Sequence, residues 1–374
     1  MTDAAIPAED PATPRLAVLS VRQLTWRKFR RNRLAYLGLC VLCVMYLMAA
    51  FAPFLAPYGV RETHSQFART APNGLHFIDE NGSFHAVPFV YGLRQGMDPE
   101  TFLQSTIRVE DEKYPLRLLP RGEPYLLFGL IPAERRLFGV DAPGKIFLFG
   151  TDTRGRDLFT RILYGAQVSL TVGLFGVILS LVLGVGIGLA TGYYGGWFDS
   201  ITQRVIEMTQ AFPQIPLWLA LAALIPPTWS SIQVYFGISI VLSILTWGAL
   251  ARQVRAMVLS LKTSDFVRAA RYSNASTGRI MLRHLLPSTF SHVLVIATLA
   301  IPAMILGETA LSFLGLGIKA PMTSWGLLLN EAQSVQVIVE TPWLLIPVVF
   351  VVLTIISFNF VGDGLRDAAD PFAR

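Results

Sequence analysis

The chain has 374 residues, of which 53% are hydrophobic and only 15% charged, with a formal net charge of +6. An ordinary soluble domain carries about 25% charged residues. Here the charges also cluster, leaving uncharged runs at 34–60, 162–198, 208–251, 284–307 and 341–362; each exceeds the roughly 20 residues that cross a hydrocarbon core of about 30 Å, which excludes a soluble enzyme and gives a polytopic helical membrane protein.

Residues 1–33 form a basic arm with Arg15, Arg22, Arg27, Lys28, Arg30, Arg31 and Arg33. The arm is not a cleavable signal peptide: its polar leader is long, the apolar run behind it exceeds a signal core, and no small-residue cleavage site follows. The first span is predicted at 34–57, as an uncleaved anchor. Cys40 and Cys43, three apart on that helix with no His nearby, read as small apolar packing residues.

Residues 58–165 are predicted as a small extracytoplasmic α+β insertion. Between 61 and 161 it carries 13 basic and 13 acidic residues. Its aromatics, Pro, Gly and alternating apolar positions predict short strands rather than a disordered linker. The residues leave open whether it docks a partner or is a structural insertion.

The second span, 168–191, contains GVGIGLATG (184–192), whose Gly184, Gly188 and Gly192 have the spacing of close helix packing. The stretch GYYGGW (192–197) then turns the chain. As one helix, the run 208–251 would be roughly 65 Å long, about twice the core thickness. It therefore divides at IPPTWSS (225–231), where Pro-Pro stops one helix and Ser caps the next. Spans three to six are predicted at 201–225, 232–251, 289–312 and 342–362. Asp199, Arg204 and Glu207, near the start of the third, are either functional charges at membrane depth or one ion-paired interfacial cluster, the second being favoured.

Orientation follows from the cations of short loops. Seven lie between 252 and 283 (Arg252, Arg255, Lys262, Arg268, Arg271, Arg279 and Arg283) against Asp265 alone. Six spans put this loop, the basic arm and the tail (363–374) on the cytoplasmic side. The loop 313–340, with the single cation Lys319, falls outside.

Within the cytoplasmic loop (262–288), Ser264 is placed to cap a helix that begins at Asp265. Phe266, Ala269, Ala270 and Ser273 then share one face, and Arg268 and Arg271 another. Asn274, tolerant of the left-handed conformation, is placed to end it. A second short helix is predicted over 277–286, with Pro287 opening the next span. Such a pair suits lipid headgroups and a cytoplasmic protein partner equally.

Chemistry of its own is not legible. No G-x-x-x-x-G-K-[ST] loop occurs, and His64, His76, His85, His284 and His292 have no metal-ligand spacing. No catalytic residue, cofactor, metal or nucleic-acid partner is expected. Glu308, in LGETALSFLGLG near the outer end of the fifth span, faces either a translocation path, together with Ser312, or a neighbouring helix. The buried carboxylate chain of a proton-coupled carrier is missing.

The loop resembles that of ATP-binding-cassette (ABC) importer permeases, whose pattern is E-A-A-x-x-x-G followed by L-P. Ala269, Ala270, Leu286 and Pro287 match it, while Arg268 replaces the usual Glu and Asn274 the usual Gly. WRKFRRNRLAYLGL (26–39), FGTDTRGRDLFTRILYGAQVSL (149–170), GYYGGWFD (192–199), ETALSFLGLGI (308–318), SWG (324–326) and GDGLRDAADP (362–371) resemble the second, C-type permease of the dipeptide/oligopeptide group. The resemblance implies an all-α, six-helix type I importer permease, with a core domain at 166–362, in the bacterial inner membrane.

It further implies a homologous permease as heterodimer partner, two cytoplasmic ATPase subunits that hold ATP and Mg, and an extracytoplasmic solute-binding protein. Asp265, Phe266, Val267, Arg268, Ala269, Ala270, Arg271, Tyr272, Asn274, Leu286 and Pro287 would couple to an ATPase. Peptides are the usual cargo of the group; relatives carry nickel complexes or sugars. An ion-coupled secondary carrier is the competing class.

Overall fold

The computed structural model describes residues 21–97 and 104–369. The start of the basic arm (1–20, with Arg15) and the tail residues 370–374 lie outside the described residues. Helix α1 (Val21–Arg31) is amphipathic and ends in Lys28, Arg30 and Arg31; its Trp26 and Phe29 rings stack at 5.7 Å. Asn32 interrupts it, and its side chain accepts from Ala35 N at 3.2 Å to cap α2 (Arg33–Ala50). One stripe of α2 buries Ala35, Gly38, Leu42, Met45 and Ala49, while Leu34, Leu37, Val44 and Leu47 stay exposed. Such a face suits hydrocarbon. Cys40 and Cys43 lie on it too, so they do not pack between helices as predicted: a spacing of three set both on the side away from the bundle.

After the short α3 (Ala52–Leu55), the predicted insertion forms strands. β1 (His76–Ile78), β2 (Phe84–Met97) and β3 (Gln104–Pro115) make one antiparallel sheet in that order, with Phe89 opposite Pro115 and Tyr91 opposite Lys113. β4 (Arg117–Leu118) pairs with β7 (Phe138–Gly139), and β5 (Arg121–Leu127) forms a hairpin with β6 (Ile131–Arg135). The insertion ends at residue 157, short of the predicted 165, because the next long helix already starts at Leu158; up to there its expected helical part reduces, among the described residues, to a 3-10 turn at Ser65–Phe67. Buried Arg136 fastens the insertion to the end of the first span, donating to the carbonyls of Pro53, Ala56 and Tyr58 at 3.3, 3.1 and 2.8 Å.

The core follows as α4 (Leu158–Tyr194), α5 (Gly196–Gln210), α6 (Gln214–Ala222), α7 (Ser231–Leu261), α8 (Asp265–Tyr272), α9 (Thr277–Ile280) and α10 (Leu286–Phe313). Helices α11 (Trp325–Glu331), α12 (Val335–Glu340) and α13 (Ile346–Ala369) complete it. Five helical segments of the described residues are long and apolar enough to cross a membrane: Arg33–Ala50, Leu158–Tyr194, Ser231–Leu261, Thr277–Phe313 and Pro342–Ala369. The stretch predicted as the third span is not one helix, because Pro213 lacks a backbone donor and separates α5 from α6. Helix α7 starts where Ser-Ser predicts, with a capping box between Ser230 and Gln233. It runs to Leu261, beyond the predicted 251, and α13 runs to Ala369, beyond the predicted 362; polar residues lengthen a helix past the membrane without breaking it.

The glycine spacing of 184–192 has its expected role. A Cβ at Gly188 would lie 2.6 Å from the Ala251 carbonyl, and one at Gly192 2.7 Å from Val258 Cβ. Only bare backbone lets α4 and α7 approach this closely. At the end of α4, Gly195 and Gly196 both take positive φ, +67° and +63°, and turn the chain into α5.

Candidate functional site

The loop between α7 and α10 forms a knob. Val267 and Ala270 of α8 are buried and pack with Ile280 and Leu285 onto Leu189 of α4 and Leu250, Val254 and Val258 of α7. The buried pair is thus Val267 with Ala270; of the four residues read as sharing one face, Phe266, Ala269, Ala270 and Ser273, only Ala270 is covered. Phe266, Ala269 and Ser273 instead point outward, with Asp265, Arg268, Arg271, Tyr272 and Asn274. The knob's interior therefore uses positions three apart, and its aromatic residues belong to the surface. Tyr272 is 91% exposed. The Arg271 guanidinium lies 5.3 Å from the Tyr193 ring centre, a further link to α4.

Both ends of α8 have a local cause. Ser264 stands at the N-cap, but its hydroxyl donates back to the Leu261 carbonyl at 2.6 Å rather than capping as predicted. Asn274 takes φ +62°, and Ala275 N donates to the Ala270 carbonyl at 3.1 Å, the bond that closes a left-handed helix end. The segment after it does not stop at Leu286. Thr277–Phe313 is continuous, with a π turn at Met281–Leu285 in which Leu286 N donates to Met281 O. That widened turn lies beside Pro287, whose ring does not fit a regular α ladder. Leu286 is half-buried against the knob's core, and Pro287 is exposed.

The charges near α5 divide differently from the single cluster expected. Arg204 pairs with Glu207 at 3.0 Å on the surface. Asp199 instead takes a two-pronged contact from Arg255, with 2.5 Å between Nη2 and Oδ2, clamping α5 to α7. The Arg255 fork reaches both carboxylate oxygens, which Arg204 on the same helix does not.

Glu308 and Ser312 have no exposed surface. Glu308 accepts from Ser169 Oγ of α4 at 2.9 Å and from Ser312 Oγ at 2.7 Å. Trp325 N of α11 donates to Ser169 Oγ at 3.1 Å, and Ile318 N to Ser312 Oγ at 3.0 Å. Of the two roles open for Glu308, this geometry has it bonding a neighbouring helix. An open space of about 320 Å³ lies elsewhere in the bundle, among α4, α5, α6, α7 and α10. Its polar lining is Ser180, Thr209, Gln210, Gln214 and Thr246.

One cluster was not singled out from the sequence. Asp152, with no exposed side chain, accepts from Arg156 Nε at 2.7 Å and Arg161 Nη1 at 2.6 Å. It also accepts from the backbone N of Arg154 and Arg156 at 2.8 and 3.0 Å, around Gly155 at φ +76°. Glu331 of α11 closes the network, accepting from Arg156 Nη2 and Arg161 Nη2 at 2.9 Å each. Asp157 caps α4 by accepting from Thr160 N at 2.7 Å. The signal available in the sequence was TDTRGRD (151–157): four charges within six residues at the very edge of an apolar run.

Comparison with known proteins points one way. Residues 184–374 match the family described as binding-protein-dependent transport system inner membrane component. Residues 20–72 match the N-terminal transmembrane domain of oligopeptide transport permease C. The dipeptide transport system permease protein DppC of Bacillus subtilis is 33% identical over 95% of this chain and 87% of its own. The DppC of Alkalihalophilus pseudofirmus is 41% identical, over 62% of this chain and 74% of its own. The oligopeptide permease OppC of Haemophilus influenzae is 42% identical, over 60% and 70%.

Proposed function

Since this chain belongs to the family of binding-protein-dependent transport system inner membrane components, as an ABC importer permease of the dipeptide and oligopeptide group, we propose that it forms half of a peptide translocation pore. It is a permease subunit rather than an enzyme. A homologous permease supplies the other half, and an extracytoplasmic binding protein delivers the cargo. Two ATPase subunits, holding ATP and Mg, drive the cycle from the cytoplasmic side of the bacterial inner membrane. The fold is the six-span type I arrangement, in which α5 and the short α6 cross together as one broken span. Helix termini inside a protein-lined bundle tolerate such a break.

The observation that carries the reading is the outward face of α8. Phe266, Ala269 and Tyr272 are exposed on a helix whose other side is locked into the bundle by Val267 and Ala270. A rigid element with an unpartnered aromatic face transmits a push as a body, the form expected of coupling between two packed states. Arg268 and Arg271 flank that face and ask for acidic groups on the ATPase. The peptide path is the cavity bearing Ser180, Gln210, Gln214 and Thr246; Glu308 and Ser312, away from it, brace α10 against α4.

The test is a charge on the docking face. Ala269→Glu is expected to lower peptide uptake several-fold and to release the ATPase subunits during purification, with the amount of chain in the membrane unchanged. Full uptake in that variant sinks the coupling role. Ala270 is unsuited to the test, because it faces Val258 and its neighbours, so a charge there breaks the knob itself.

A further inference from the structure

The β5–β6 hairpin carries a feature that neither coupling nor cargo explains. The ten residues 124–133 hold no charge, within an insertion that carries 13 basic and 13 acidic residues between 61 and 161. At its tip Leu126, Phe128, Leu130 and Ile131 are all exposed, Leu130 by 83%. The turn is closed by Leu130 N donating to the Leu127 carbonyl at 3.1 Å, with Phe128 at φ +54° and Gly129 at φ +72°. Left-handed positions of a hairpin turn favour Asn, Asp or Gly, and a Phe there is strained. This turn places an aromatic ring where a polar residue folds more easily.

The location of the tip says what it meets. Phe128 packs edge-to-face on Phe51, the residue that ends α2, at 5.3 Å. Its ring also lines an open cavity of about 540 Å³ with Tyr46, Ala49, Ala50, Gln167 and Tyr235. Tyr46 and Ala49 lie inside α2, so the tip reaches back over the last turn of a membrane-crossing helix. Arg136 holds it there through the Pro53 and Ala56 carbonyls and lies 5.3 Å from the Tyr125 ring centre. Through Phe128 the tip meets Phe51, which shares the outward face of α2 with exposed Val44 and Leu47. Charged residues resume at the hairpin's open end, at Arg121, Glu123, Glu134 and Arg135.

We propose that the tip of this hairpin, through Phe128, Leu130 and Ile131, dips into the lipid leaflet into which the C-terminal end of α2 emerges. Apolar and aromatic side chains placed beside a span enter the boundary between headgroups and acyl chains. The strand edges stay at interfacial depth, since open backbone does not enter the hydrocarbon. The hairpin thereby ties the insertion to the bilayer as well as to the bundle. The proposal rests on α2 crossing a membrane, and the test separates the two.

The full chain, with Cys40→Ala and Cys43→Ala, receives a nitroxide label at Leu130→Cys, Leu47→Cys or Glu134→Cys and is reconstituted into phosphatidylcholine vesicles. Collision with oxygen, which concentrates in lipid, is compared with collision with a water-soluble nickel chelate. The ratio of oxygen to nickel collision is expected to be several-fold higher at 130 than at 134, and close to that at 47. A label at 130 that meets nickel as freely as the one at 134 overturns the proposal. So does a label at 130 that meets neither reagent, which identifies a protein surface over the tip. Free nickel access at 47 instead removes the span on which the proposal rests.

Discussion

At the scale of single residues, the strongest constraint is the Asp152, Arg156, Arg161 and Glu331 network. Arg161 is 2% exposed and bonds two carboxylates, that of Asp152 just before α4 and that of Glu331 on α11. Removing one partner of a buried pair leaves an uncompensated charge, which costs about 3–5 kcal/mol. Arg161→Leu is therefore expected to destabilise the purified chain by about that amount in denaturant unfolding. Arg161→Lys is expected to restore only part of it, because an ammonium does not fork between Asp152 and Glu331. Equal stability of Arg161→Leu and the parent chain rules out this role. Glu308 belongs to the same class of buried polar joint: it bridges α4 and α10 through Ser169 and Ser312. Its spacing could not distinguish joint from path, because both place a carboxylate on the inner face of a helix.

At the scale of elements, five of the six predicted spans were legible because uncharged runs of membrane length have few alternative explanations. Gly184, Gly188 and Gly192 also announced the α4–α7 contact, since a four-residue repeat of bare backbone makes a groove. The knob was only half legible. Asn274 marked its end, but which side of α8 the bundle covers was not legible, because Val267 and Phe266 are adjacent and comparably apolar. Only the position of α4 and α7 decides which one is covered.

The insertion has an element-scale consequence of its own. His64 is buried against Tyr58 and Phe147, at 4.8 and 5.6 Å between ring centres. Burial, aided by the Lys145 charge, lowers its pKa from the ordinary 6.5 to about 4, although Glu62 lies 3.3 Å away. The unfolded chain then binds a proton more readily than the folded one between those two values. His64's contribution to stability is complete above pH 6.5 and is lost as pH falls toward 4. Asp79 acts lower down: Lys113, then His85 and the Ser83 amide, hold its carboxyl below the usual range, so its contribution disappears only in stronger acid. After correction for intrinsic exchange, the amides around His64 and Phe147 are expected to show an excess loss of protection between pH 7 and pH 5, and His64→Leu to abolish that excess. No excess in the parent chain contradicts the assignment.

At the scale of the whole molecule, the charge pattern and the fold make one joint statement. The arm and the knob carry the clustered cations, whereas the insertion is balanced and 313–340 has only Lys319 as a cation. Five segments qualify as membrane-crossing by length and composition. Five crossings alone would put the basic arm and the knob on opposite sides, with α2, α4 and α7 between them, against the cation pattern. If α5 and α6 together complete a sixth, the two ends and the knob share the cytoplasm. In a Cys40→Ala, Cys43→Ala chain, Leu118→Cys is then expected to react with a membrane-impermeant maleimide in intact spheroplasts. Thr263→Cys should react only after the membrane is opened, as should Asp367→Cys on α13. Reaction of the cysteines at 118 and 263 from the same face shows an even number of crossings between them, which the broken-span topology forbids: it has α4, the α5–α6 pair and α7 cross between these positions.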